Sequence, residues 1–206
     1  MKINLPNQLT IARLILSVVF FILLAQYNHR DPHRPTWMLD VAFGVFIIAA
    51  LTDILDGYLA RSRGLVTALG RILDPLADKV LICGAFILFL GTGFVDEQGY
   101  NVTEVRPWMV VVIVGRELLI TGLRGFNEAR GKAFPAMVHG KIKMWFQSVT
   151  APVVMLLVAH GSELMAPKTA AGIMQAMVWA TVIFTALSAW QYLVKSRDIL
   201  DGADSI

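Results

Sequence analysis

Cysteine is almost absent from this 206-residue chain. Cys83 stands alone in the apolar run 80–90, so neither a disulfide framework nor a thiolate metal centre is available. Charge is scarce as well: 16% of residues are charged against 56% hydrophobic, and the mean hydropathy is +0.63. An ordinary soluble domain is excluded by that balance, because several apolar runs approach the ~20 residues needed to cross a bilayer. Between those runs no stretch is long enough for a large soluble domain, and no internal repeat or low-complexity segment occurs. The net charge of +3 is too small to argue for nucleic acid as a partner. What remains is a helical membrane protein whose few charges must be explained.

Hydropathy predicts an all-α integral membrane protein, a single domain over 1–206 with an interfacial segment 1–8 and a polar tail 195–206. Six spans are expected, near 9–26, 37–59, 69–90, 107–123, 144–159 and 169–194. The basic start and first apolar run resemble a signal peptide, but Gln26-Tyr27-Asn28-His29 follows where small residues would mark cleavage, so a retained span is the reading. His29, Arg30, His33 and Arg34 fall in a loop. The two histidines there are four apart, but Pro32 and Pro35 argue against a helix that would align them for a metal. Residues 91–106 form a polar connection, 124–143 a basic one and 160–168 a short loop; Pro152 predicts a kink in the fifth span. Six spans put both termini on one side. That side carries twelve Lys and Arg residues against four (Arg30, Arg34, Arg106 and Lys168) in the opposite loops, which predicts cytoplasmic termini.

The charges gather in one stretch, residues 53–78. Asp53 and Asp56 are three apart, and Asp74 and Asp78 four apart, so each pair shares one helix face. Gly64 and Gly70 lie between them in a turn-like segment, which lets two consecutive helices fold back and bring four carboxylates together at the cytoplasmic end. Such a cluster repels itself unless cations neutralise it. Oxygen donors without a neighbouring His or Cys suit a hard ion, Mg²⁺ or Mn²⁺. The bland alternative is a set of buried ion pairs with Arg61 and Arg71, but intramembrane carboxylates are costly and usually functional. Basic groups converge on the same side: Arg13 one turn into the first span, Arg116 and Arg124 on the fourth, Lys141 and Lys143 at the start of the fifth. Acids to hold metal against a diphosphate, with cations to grip a second anion, are what transfer of a phosphate-linked group requires. A carboxylate not saturated by metal is able to take a proton from an attacking hydroxyl. Two bland readings stand beside this: Arg116 and Glu117 neutralising each other, and Lys141 and Lys143 serving as interfacial anchors. Glu117 also shares a face with Arg124, seven residues on, and is placed to orient it.

The eight positions Asp53, Asp56, Gly57, Ala60, Arg61, Gly70, Asp74 and Asp78 resemble, without a departure, the signature of the CDP-alcohol phosphotransferase family. The resemblance extends along the whole chain. NLPNQLTIARLIL, ILDPLADKVL, GRELLITGLR and GKIKMWFQ are similar to the bacterial members that use glycerol 3-phosphate. It implies a fold of six transmembrane helices, usually a homodimer, in the bacterial inner membrane with the active site facing the cytoplasm. It implies transfer of the phosphatidyl group of CDP-diacylglycerol to glycerol 3-phosphate, giving phosphatidylglycerophosphate and CMP. By the same resemblance Asp53, Asp56, Asp74 and Asp78 bind two divalent ions, and Asp78 is the base for the acceptor hydroxyl. Gly57, Ala60, Arg61 and Gly70 would shape the CDP-diacylglycerol site. For the dianionic acceptor phosphate, Arg116, Arg124 and Lys141 have the right side and depth, with Thr10 and Arg13 as contributors from the first helix.

Three rivals are weighed against this reading. Another acceptor (inositol phosphate, serine or phosphatidylglycerol) fits the same acids. An intramembrane prenyltransferase also uses aspartate pairs on a diphosphate, but on well-separated helices rather than consecutive ones. An ion or proton transporter would spread its carboxylates across membrane depth, and here they cluster at one face.

Overall fold

The computed structural model describes the backbone over residues 5–31, 33, 35–63, 68–129 and 138–201; side chains are described for 7–31, 33, 35–53, 55, 76–126, 140 and 142–194. Among the described residues the protein is all-helical. It has six α-helices, α1 Leu5–Gln26, α2 Thr36–Arg63, α3 Ala68–Leu88, α4 Pro107–Ala129, α5 Val138–Leu164 and α6 Pro167–Asp201. One 3₁₀ turn, Thr92–Phe94, interrupts the α3–α4 connection.

Each helix lies where an apolar run predicts it, but several run past the end of that run. Thus 124–143 is not one connection: α4 continues to Ala129 and α5 begins at Val138, so Arg124, Lys141 and Lys143 stand on helices. Likewise His160 belongs to α5, not to a loop. Charged residues end a hydropathic run without ending the helix, since the backbone hydrogen bonds continue once the chain leaves lipid.

Among the described residues, four helical stretches are long and apolar enough to cross a membrane: Asn7–Gln26, Thr36–Asp53, Ile142–Leu164 and Pro167–Val194. The remaining two helices, α3 and α4, have comparable lengths of 21 and 23 residues. They fall short because they carry charge: Arg71, Asp74, Asp78 and Lys79 on α3, and Arg116, Glu117 and Arg124 on α4. Only 22–44% of each apolar stretch is buried within the protein, so most of it faces outward. Ile15, Ile22, Leu51, Val111, Leu118 and Ile183 are among the large aliphatic side chains left exposed, a surface suited to lipid. The protein is a multi-pass membrane protein.

Packing divides the helices into two groups. α1 packs against α2 and α3, and α5 against α6; α2 then meets α5, α4 meets α6, and α3 touches α4 and α5. Phe20, Phe46, Phe86, Phe89, Met109, Ile113, Val154 and Val178 form part of one continuous core. Small residues allow close approach, as is usual without a hydrophobic force between helices in lipid. Gly84 of α3 lies so close to the Phe21 ring of α1 that a Cβ there would overlap it, and Gly161 of α5 faces Ala170 of α6. Between α5 and α6 buried hydroxyls add direction, with Thr150 and Thr181 bonded at 2.8 Å.

The end of the bundle opposite the acidic stretch is closed by hydrogen bonds to backbone carbonyls. His29 N donates to the Gly93 carbonyl at 2.8 Å, and Arg30 Nε to the Val95 and Asp96 carbonyls at 3.1 and 2.9 Å. Asn101 donates through Nδ2 to the Phe89 carbonyl (2.7 Å) and accepts from Thr103. Its amide is spent on holding this connection together.

Candidate active site

Of the four acids, Asp53 and Asp78 have described side chains, and both line one cavity of about 340 Å³. Asp53 comes from α2 and Asp78 from α3, with Arg13 of α1 and Met144, Trp145 and Ser148 of α5 completing the wall. The fold-back expected of consecutive helices is therefore present for one member of each pair. Asp56 and Asp74 lie on the same two helices, but their side chains, with those of Gly57, Ala60, Arg61, Gly70 and Lys141, fall outside the described residues. Among the described residues no three His, Cys, Asp or Glu side chains converge to hold a metal ion, and this set includes only two of the four acids.

Arg13 is the first surprise. It is fully buried, and its Nη1 donates to Asp53 Oδ1 at 2.5 Å. Thr10, one turn earlier on α1, is also fully buried, and Ser17, one turn later, donates to the Arg13 carbonyl at 2.8 Å. One partner of Asp53 is thus a guanidinium from another helix, while the side chains of Arg61 and Arg71 lie outside the described residues. This pairing puts Arg13 on the acidic side of the site, where it supplies a positive charge to a carboxylate expected to hold a cation. Two hard oxygen donors facing one cavity suit a divalent ion, which would compete with the Arg13 guanidinium for Asp53 Oδ1.

A second charged group adjoins the first. On α4, Arg116 Nη1 donates to Glu117 Oε1 at 3.2 Å, and Nη2 to Ser188 Oγ of α6 at 2.7 Å. Lys143 of α5 donates to that same Glu117 oxygen. All three charged residues are less than a tenth exposed. Arg116 Nε is buried and meets no acceptor among the described residues. Tyr192 of α6 lies between two guanidiniums, its ring centroid 5.6 Å from Arg116 Cζ and 5.7 Å from Arg124 Cζ, in cation–π range. Its hydroxyl accepts from Arg124 Nη2 at 3.0 Å. Asp78 lies within electrostatic reach of Asp53, Arg13, Lys143 and Glu117, which joins the two groups.

Arg116 and Arg124 meet on the Tyr192 ring, and Arg116 also donates to Ser188; sequence reasoning missed both Tyr192 and Ser188. These two are four apart on α6 and share its inward face. That spacing was the available signal, masked because Tyr192 sits among Trp190 and Leu193 as an interfacial aromatic would. Glu117 orients Arg116 and Lys143, whereas Arg124 is taken by Tyr192. Lys143 is a buried ion-pair partner and not a surface anchor.

A family model described as CDP-alcohol phosphatidyltransferase matches residues 3–187 of this chain. The chain belongs to that family. A CDP-diacylglycerol–glycerol-3-phosphate 3-phosphatidyltransferase of Bacillus subtilis is 36% identical over 204 residues, covering 96% of this chain and 97% of its own. Proteins of the same name from Rickettsia felis and Pseudomonas fluorescens are 32% identical over 189 residues and 35% over 156. The first of these alignments covers 92% of this chain and 93% of the relative, the second 75% and 70%. In this CDP-alcohol phosphatidyltransferase, acids and cations thus lie side by side within one helical bundle.

Proposed function

We propose that the chain transfers the phosphatidyl group of CDP-diacylglycerol to glycerol 3-phosphate, forming phosphatidylglycerophosphate and CMP. The observation that carries this is the convergence of Asp53 and Asp78 on one cavity beside the buried Arg116–Glu117–Lys143 group. The names of the relatives support the two substrates. In this reading α3 and α4 also span the membrane, making six spans in a single domain. Both termini and the site then face the cytoplasm of a bacterial inner membrane, and the enzyme works as a homodimer.

Asp53, Asp56, Asp74 and Asp78 would hold two Mg²⁺ or Mn²⁺ ions. Bound there, the ions supply neutralisation of the diphosphate and of the charge growing on the departing CMP. The residues of the chain perform the rest. Gly57, Ala60, Arg61 and Gly70 shape the nucleotide site, and glycine permits close approach of backbone to ligand. Arg116 and Arg124, with Lys141, grip the acceptor phosphate; Thr10 and Arg13 close the α1 side. Asp78 takes the proton from the acceptor hydroxyl. That oxygen forms a bond to the phosphatidyl phosphorus, the bond from phosphorus to the CMP oxygen breaks, and CMP leaves with its electron pair.

CMP release by the purified protein in detergent tests this, with CDP-diacylglycerol, Mg²⁺ and one acceptor at a time. Release with glycerol 3-phosphate alone, abolished by EDTA, is the expected result. Release only with inositol phosphate, serine or phosphatidylglycerol overturns the acceptor, and release with none overturns the reaction.

A further inference from the structure

The acceptor cluster contains a residue that has the wrong charge for its neighbours. Glu117 is a buried carboxylate in a group otherwise suited to bind an anion, and no part of the reaction above uses it. Its contacts are specific. One oxygen, Oε1, accepts from both Arg116 Nη1 and Lys143 Nζ, so it links α4 to α5 through a single atom. Its own carbonyl accepts from Thr121 Oγ1 at 2.6 Å, and Thr121 in turn accepts from Lys79 of α3. Glu117 is therefore anchored in the α3–α4 wall while its carboxylate reaches into the cationic group.

Charge gives the reason for such an arrangement. Arg116, Arg124 and Lys143 carry +3 and Glu117 carries −1, leaving +2 among the described side chains of this group. Arg116 and Lys143, both buried, would repel each other and tolerate burial poorly without a counter-charge, and Arg124 adds to that repulsion from its exposed position. With the carboxylate present, the group keeps a net positive charge suited to a phosphomonoester dianion, and Lys79 of α3, within electrostatic reach of Glu117, Arg116 and Arg124, adds to it. Arg116 meanwhile has Nη1 and Nη2 engaged and Nε buried without an acceptor among the described residues, so its guanidinium is held by two nitrogens with the third still to satisfy.

We propose that Glu117 is a positioning residue that ties Lys143 and Arg116 into one unit, whose residual charge selects a dianionic phosphomonoester acceptor. This rests on the reading of the acceptor as glycerol 3-phosphate. Glu117 and Lys143 cancel each other, so removing one is worse than removing both. Loss of Glu117 leaves +3 with Arg116 unguided. Loss of Lys143 turns the whole carboxylate onto Arg116 and lowers the group to +1. Loss of both returns it to +2.

The test is a double-mutant cycle on CMP release with E117Q, K143Q and E117Q/K143Q, measuring KM separately for glycerol 3-phosphate and CDP-diacylglycerol. Each single variant is expected to raise the glycerol 3-phosphate KM about tenfold or more and leave the CDP-diacylglycerol KM within about twofold. The double variant is expected to recover most of that loss, a coupling of the kind neighbouring charges give. E117D, which keeps the charge, should lie between wild type and E117Q, and covers the case in which E117Q does not fold. Additive losses, or equal rises in both KM values, overturn the proposal, since a merely structural residue would impair both substrates. A wild-type protein that releases CMP but shows no coupling defeats this inference alone. A wild-type protein inactive with glycerol 3-phosphate defeats the acceptor reading as well.

Discussion

Two charged groups lie side by side in this bundle, and their compositions are opposite. In the first, Asp53 and Asp78 face a cavity with Arg13 as the cation bonded to Asp53. In the second, Arg116, Lys143 and Arg124 surround Glu117. Among the described side chains the first is short of positive charge and the second short of negative charge. An enzyme that binds two anionic substrates and needs cations at only one of them would be built this way. In the reading proposed above, the acidic group would hold metal and a diphosphate, and the basic group a phosphate that arrives without metal. Neither group is self-neutralised, and that imbalance is the difference between a binding site and a buried ion-pair network.

Asp78 stands between the two groups, so its loss should break the comparison most severely. Asp78→Asn keeps the shape of the cavity wall but cannot accept the acceptor's proton. CMP release should fall about a thousandfold, the scale of a lost general base. Binding of CDP-diacylglycerol, followed by equilibrium titration in detergent, should remain measurable. Normal turnover would remove Asp78 from the role of base and leave the acidic group with a metal-holding role only.

The basic group is broken more gently. Arg116→Lys preserves the charge but loses the planar fork that reaches Glu117 with one nitrogen and Ser188 with another. A rise of roughly 50-fold in the glycerol 3-phosphate KM is expected, within the range for a charge-assisted, buried contact. The CDP-diacylglycerol KM should hold. If both constants moved together, the division of labour between the groups would fail.

How much of this was visible in the chain follows the same division. The convergence of Asp53 and Asp78 was legible because carboxylates are expensive in an apolar context and these two lie on neighbouring helices. Proximity in sequence gave proximity in space. The basic group was only half legible. Arg116 and Arg124 announced themselves by charge, but Tyr192 and Ser188 lie about seventy residues further on and carry no charge, so no local pattern joins them to α4. Arg13 was visible as a cation at the right depth, yet its bond to Asp53 depends on how α1 packs against α2, which periodicity does not encode. The spans followed hydropathy closely, and their boundaries strayed wherever a helix continued beyond its apolar run.

A lesion at the far end of the bundle serves as the control for both groups. A Cβ on Gly93 would run into the backbone carbonyl of Tyr27, which has no rotamer to adjust. Gly93→Ala should therefore push the 91–106 connection off α1 and cost about 2 kcal/mol, as overpacking typically does. A lowered Tm in detergent with both KM values unchanged is expected. A selective change in either KM would mean that the far end communicates with the site, and the two-group picture would be too local.

The smallest expected effect is the most discriminating for the basic group, because Tyr192 touches both arginines in different ways. Tyr192→Phe removes the hydroxyl that accepts from Arg124 Nη2 but keeps the ring that both guanidiniums overlie. Arg124 is exposed, so water can replace the phenol oxygen, and the loss should be far below that of a buried charged bond. A rise of about threefold in the glycerol 3-phosphate KM is expected, with Tyr192→Leu costing several times more because the cation–π contacts go too. Equal effects of Phe and Leu would assign the whole contribution to the hydroxyl. No effect of either would show that Arg116 is held by Glu117 and Ser188 alone, which would narrow the basic group to its buried α4–α5 pair and leave Arg124 as a contact made only when the acceptor arrives.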